Sequence, residues 1–531
     1  MPDTLRDLLD AANADLAPLE LAANRAWWDA STDVSEAHEA ERVRADLALR
    51  GALADADRFE AVRKAAPEGA DAVAERQRAV LADLMLPHQV PAELREQVVR
   101  LEASIDATFN SHRPVLDGTP VDDNTIAEIL RTSGDDTHRR RAWEAAKTVG
   151  ATVAPRVREL AHLRNQAARA LGHRDHFALS LATAELDEDD LLATLDAVDA
   201  ATQDLFRAWK EESDAARAAR FGVPVADLRP WHYDDPFFQQ APRDPDLDLD
   251  AWFDGQDLVA LTERTYTGIG LDVTALVAAS DLEPRAGKSQ HAFCINLDRA
   301  TDIRVLCNNV VGEYWTETML HEFGHAVYDR WVDPELPWLL RTMHPLTTEG
   351  IAMLFGRLTT DDEWLRTVVG VDATELAEAA PRLARLRLLG RLVFARWVLV
   401  MTNFERAFYA DPDADLDTLW WDLVERFQLV NRPPDRSAPD WAAKLHVALA
   451  PVYYQNYLLG ELVASQLEAT LRTRFGSVIG NAAIGEFLVR DFFGPGWSCR
   501  WDELVERATG APLGVGPYAA ELRSLADAAG I

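Results

Sequence analysis

Residues 318–329 read TMLHEFGHAVYD. Two histidines four positions apart, His321 and His325, stand among apolar residues. Four residues turn an α-helix by about 400°, so both imidazoles leave one face about one turn apart. Two ring nitrogens can then reach one zinc ion at about 2.0–2.1 Å. Glu322 is rotated by about 100° and falls beside that point, where it can take a proton from an activated water. A catalytic zinc normally takes three protein ligands, so a second element has to deliver the third.

The third ligand is not a histidine close behind. In the pattern HExxHxxGxxH the glycine position is Tyr328 and the last histidine position is Trp331. The next stretch, HPLTTEGIAMLFGRL, offers Glu349. Pro334, Pro337 and Pro345 break the chain after the first helix. Thr347 or Thr348 is expected to cap a new one, with Glu349 in its first turn, where the helix dipole favours a negative charge. His344 is a rival ligand, but it precedes Pro345 and lies outside that helix.

Most of the remaining chain has helical periodicity, over residues 5–115 and again over 123–220, rich in Ala, Leu, Glu and Arg. The run LRNQAARALGH is expected to end at Gly172. The Pro- and Asp-rich segment 229–250 cannot be one helix; it divides an N-terminal helical part, 1–240, from a catalytic part, 241–531. Residues 410–417 and 431–441 read as loops. Only HAFCINL and DIRVLC, with DRAT between them, look β-prone, which predicts a hairpin just before the histidine helix. The edge of such a hairpin can pair with an extended peptide.

Charge narrows the partners. The net charge is −34 and the pI near 4.7, so nucleic acid and anionic membrane are poor candidates. The first twenty residues lack the basic-then-apolar pattern of a signal peptide, and no window offers the ~18 consecutive apolar residues of a membrane span. Three cysteines, Cys294, Cys307 and Cys499, suit a reducing compartment, and a cytoplasmic location is expected.

These motifs resemble a helical zinc-metallopeptidase superfamily that contains the angiotensin-converting-enzyme, thimet-oligopeptidase and oligoendopeptidase-F families. The 24 residues from His325 to Glu349 match the converting-enzyme spacing. HAFCINLDRATDIRVLC is similar to that family's HASAWDF…DFRI…C segment, with Asp302 and Arg304 in register. The resemblance makes His291 the substrate-binding histidine and Ala292 part of the peptide-pairing strand edge. KLHVALAPVYYQNYLLGEL, residues 444–462, resembles the family's K-Y-H-I-P…P-Y-x-x-Y region. It implies that His446 binds the transition state and that Lys444 and Tyr453 grip a substrate's C-terminal carboxylate. A one-residue offset leaves Tyr454 or Tyr457 as the oxyanion donor, with Tyr457 preferred. AANRAWWDASTDVSE and FFGPGWSCRWDELVERATGAPL extend the likeness toward both ends.

Four positions depart from the family. Met353 stands where an Asp, four residues after the glutamate ligand, orients a zinc histidine. Gln455 and Asn456 occupy the place of a chloride-binding Arg, so chloride activation through that site is not expected. Gln290 replaces the disulfide partner just before His291, which leaves Cys307 reduced.

The resemblance implies an all-α, two-lobed zincin-type fold with a deep central channel, covered by the N-terminal helices, and a small β-element near the metal. The function expected is zinc-dependent hydrolysis of short peptides with one Zn2+ per chain. Glu322 acts as base, His446 and Tyr457 as oxyanion donors, and Lys444 and Tyr453 favour release of C-terminal dipeptides. The alternatives are an oligoendopeptidase, a carboxypeptidase removing single residues, and a non-catalytic peptide-binding relative with a degraded site. Monomer and homodimer are left open.

Overall fold

The computed structural model describes residues 4–65, 71–242, 244, 246–289 and 291–531. Gln290, and with it the replaced disulfide partner, lies outside the described residues. Among the described residues the fold is predominantly helical, with two small two-stranded antiparallel sheets. No helix among the described residues is long and apolar enough to cross a membrane.

The chain forms two compact units, each assembled from separate segments. The first comprises Met1–Gln89, Asp246–Ala380 and Leu459–Tyr518. The second comprises Val90–Pro245, Pro381–Leu458 and Ala519–Ile531. One crossing, at Pro245 and Asp246, falls in the Pro- and Asp-rich segment.

In the first unit, α1 (Leu5–Thr32) starts at Thr4, whose hydroxyl accepts the Asp7 N–H at 3.1 Å. In the second, α2 (Asp136–Ala170) is capped by Asp135 and is followed by Gly172 in a left-handed conformation (φ 87°). A Cβ on Gly150 of α2 would lie 2.6 Å from the Pro439 carbonyl oxygen, so only glycine lets that turn approach.

The predicted hairpin is present in the first unit: β1 (Phe293–Asn296) pairs antiparallel with β2 (Ile303–Leu306), Phe293 opposite Leu306. Next comes α3 (Glu313–Arg330), which carries HEFGH. Its start is held by Asp250, whose carboxylate accepts the Glu313 N–H at 2.9 Å. An acidic residue in its first turn and Arg330 in its last both suit the helix dipole. Leu320, Phe323, Ala326 and Val327 are fully buried, which anchors α3 on the sides away from its histidines.

The second metal-site helix, α4, spans Pro345–Gly356. Its cap differs from expectation: His344, not a threonine, takes the position, with Nδ1 accepting the Leu346 N–H at 3.2 Å. Pro345 fixes φ for a first helical position and lacks the N–H that would go unbonded there. Thr347 and Thr348 therefore lie inside the helix, and Glu349 follows as its fifth residue rather than in its first turn.

Three further helices carry residues described below. They are α5 (Ala373–Ala410), α6 (Leu445–Leu449) and α7 (Tyr454–Phe475). The chain passes between units within α5, at Ala380 and Pro381, and within α7, at Leu458 and Leu459.

Candidate metal and substrate site

The metal group is built in the first unit by close backbone packing. A Cβ on Gly324 of α3 would meet the Cα of Ala352 of α4 at 2.8 Å. One on Gly350 of α4 would meet Val463 Cγ1 of α7 at 2.5 Å, and one on Gly460 of α7 would meet the Cβ of Glu349 at 2.9 Å. Glycine at these contacts lets three helices touch and sets where Glu349 stands.

His321, His325 and Glu349 each offer one donor atom, all within 4.8 Å of one another. His321 Nε2 is 3.7 Å from Glu349 Oε2. Two ligands of one tetrahedral zinc keep about 3.3 Å, so a small rotation brings this pair onto an ion. The imidazole rings are 5.0 Å apart and nearly perpendicular. Burial lowers the His321 pKa to about 4, and burial, then the His321 charge, holds His325 well below its ordinary value. Both rings are thus neutral near pH 7, the form that coordinates metal. Two neutral imidazoles and one carboxylate are the donor set of known catalytic zinc sites, and the residues present fit that ion. His344, the rival ligand, is buried at the start of α4 and is not part of the group.

Glu322 is buried beside the three ligands. Burial, and then the Glu349 carboxylate, raises its pKa to about 8, while the Cys294 N–H donates to it and opposes that rise. This last bond orients the hairpin. Phe293 and Ile295 lie opposite Leu306 and Arg304. Cys294 aims its N–H the other way, toward the Glu322 carboxylate, so the outward edge of β1 faces Glu322. Ala292 and exposed His291 immediately precede that strand.

The other predicted residues belong to the second unit. Lys444 Nζ donates to Gln239 Oε1 at 2.8 Å. Its ammonium also stands over the rings of Phe237, Trp397 and Tyr454 at 5.4, 5.4 and 5.7 Å. Burial lowers its pKa to about 8, and the Asp235 carboxylate limits that fall. Buried Asp235 also shapes the loop that presents Gln239: its carboxylate accepts the N–H groups of Phe237, Gln239 and Gln240. Gln239 and Asp235 were not foreseen, because their stretch reads only as a divider; a DDP turn followed by two glutamines is the one local signal.

His446 lies in α6 with its ring 4.9 Å from that of Tyr454. Tyr454 is only 4% exposed and packs on Trp397, whereas Tyr453 and Tyr457 are partly exposed, their rings 5.2 Å apart. The turn before α7 is strained: Val452, a β-branched residue, has φ 53°. Glu405 accepts its N–H at 2.8 Å, and Gln455 Nε2 donates to its carbonyl at 2.6 Å. Gln455, at the position the resemblance gives to a chloride-binding Arg, thus serves the turn.

A family model described as angiotensin-converting enzyme matches residues 3–208. No curated protein matches the chain. The matched stretch ends well before α3, so the family match and the metal group are independent observations. Together they make the chain a metallopeptidase that is similar to the angiotensin-converting-enzyme family over the matched residues.

Proposed function

We propose that the chain is a zinc-dependent dipeptidyl carboxypeptidase, with one zinc held by His321, His325 and Glu349. The observation that carries the cleavage mode is the Lys444–Gln239 pair in its aromatic surround. A half-enclosed ammonium beside an amide that can turn its NH2 outward is suited to a free carboxylate. Tyr453, partly exposed, is the further donor to that group.

A zinc ion at this site supplies a Lewis acid and a water acidic enough to deprotonate near neutral pH. Glu322 takes that proton and returns it to the leaving amine. The outward edge of β1, with His291 and Ala292, holds the extended peptide through backbone hydrogen bonds. His446 and Tyr457 donate to the oxyanion. Tyr457 is assigned this role over Tyr454 because Tyr454 is packed under His446 and Trp397. With Gln455 bonded to Val452, activity is independent of chloride at that position. A cytoplasmic location is part of the same reading and suits three cysteines that are free in the structure.

The test is mass spectrometry of products from matched peptides with free and amidated C-termini. Dipeptides released only from the free-acid set are expected. Equal internal cuts in both sets would make the enzyme an oligoendopeptidase and remove Lys444 from substrate binding. Glu322→Gln is expected to retain metal and lose turnover. A wild-type protein that holds no zinc even after reconstitution would instead be a peptide-binding relative.

A further inference from the structure

We propose that Thr348 is a positioning residue for the metal site: its hydroxyl holds the His325 proton on Nδ1 and turns Nε2 toward the metal. The proposal rests on the zinc reading above. A metal takes the lone pair of one imidazole nitrogen, so the other nitrogen carries the proton and needs an acceptor. His325 Nδ1 lies 2.6 Å from Thr348 Oγ1. In the family this chain resembles, an aspartate four residues after the glutamate ligand orients a zinc histidine. Here that position is Met353, whose thioether is a weak acceptor.

The placement of Thr348 makes the contact rigid. It immediately precedes Glu349 in α4, so one helical turn delivers both the third ligand and the partner of the second. The α4 backbone is fixed against α3 at Gly324 and Ala352 and against α7 at Gly350 and Val463. A β-branched side chain adds a stiff χ1. The neighbouring threonine is used otherwise: Thr347 is fully buried and donates to the His344 carbonyl at 2.9 Å. The two threonines first read as alternative caps therefore have separate tasks, and neither is a cap.

The experiment is zinc affinity measured by chelator competition on the full chain, for wild type, Thr348→Val, Thr348→Ser and His325→Ala. Valine keeps the shape and removes the hydroxyl, and a loss of about 10–100-fold in affinity is expected. Serine restores the hydroxyl and is expected within about threefold of wild type, as the conservative rescue. The metal-free melting temperatures of the threonine variants should match wild type. Equal zinc affinity in Thr348→Val and wild type would overturn the proposal. So would a serine variant as weak as valine, because packing of the methyl would then be what matters. If the valine variant does not fold, Thr348→Ala against Thr348→Ser carries the same contrast. Failure of the zinc reading looks different: His325→Ala would bind zinc as tightly as wild type, whatever stands at 348.

Discussion

At the scale of single residues, burial sets which protonation states are available at the site. Lys444 loses much of its solvent, and its pKa falls to about 8. It is therefore protonated below about pH 8 and neutral above, within the working range of a neutral hydrolase. If it grips a carboxylate, kcat/KM for free-acid peptides should fall as pH rises through about 8, since that ratio reports groups of the free enzyme. Lys444→Met should remove that limb of the profile and lower kcat/KM for free-acid peptides at pH 7. A profile whose alkaline limb survives in the methionine variant would assign the limb to another group. The stability linkage has the opposite sign. Between about pH 8 and the unfolded lysine value, the unfolded chain binds the extra proton, so this residue favours the folded state more as pH rises. The grouping of His321, Glu322 and His325 on one helix was legible because helix geometry alone puts them together. Gln239 was not, because its partner Lys444 is 205 positions away and nothing local announces the pairing.

At the scale of elements, the metal site depends on glycines that bring helix backbones together, and a packing prediction follows from which atoms a Cβ would meet. In Gly350→Ala the new methyl would press on Val463 Cγ1 and Cβ, at 2.5 and 2.8 Å. Overpacking of this kind costs about 1–3 kcal/mol, and here it also displaces the turn that holds Glu349. Denaturant unfolding of the zinc-free chain should show that loss, and zinc affinity should fall with it. Adding Val463→Ala removes the Cγ1 contact but keeps the Cβ at 2.8 Å, so it should recover only part of both. Gly460→Ala meets the Cβ of Glu349 and the Gly350 N–H group instead, at 2.9 and 3.2 Å, so Val463→Ala should not rescue it. If one companion mutation rescued both variants equally, general loosening of the core rather than this contact would be the cause. The hairpin, the histidine helix and a second helix bearing Glu349 could all be read from periodicity and turn residues. The cap of α4 could not. Threonine propensity pointed to Thr347 or Thr348, but Pro345 at the first helical position moved the start of the helix back and left His344 to cap it.

At the scale of the whole molecule, helical periodicity shows that a segment has an apolar face but not which segment will cover it. The membership of the two units, each drawn from three stretches of chain, is therefore a tertiary fact. Net charge, by contrast, is fully legible in the sequence and has a consequence for stability. The chain carries 88 acidic and 54 basic side chains, so even complete pairing would leave 34 carboxylates unmatched. Many of the basic groups are paired, as in the helical Arg44–Glu41, Lys64–Glu60 and Arg100–Glu96 bridges. Such exposed pairs contribute about 0–1 kcal/mol each and are weakened by salt. Repulsion among the unmatched carboxylates is weakened by the same salt, and it acts over longer distances. Raising ionic strength from about 0.01 to 0.15 M shortens the Debye length from about 30 to 8 Å, which removes mostly the long-range part. Repulsion therefore loses more than pairing does, and Tm at pH 8 should rise over this range, with most of the gain below about 0.1 M. Substituting a cluster of exposed glutamates by glutamine should raise Tm at low salt and flatten the salt dependence. A Tm that falls as salt is added would show that the ion pairs, not the surplus charge, dominate the electrostatics of this fold.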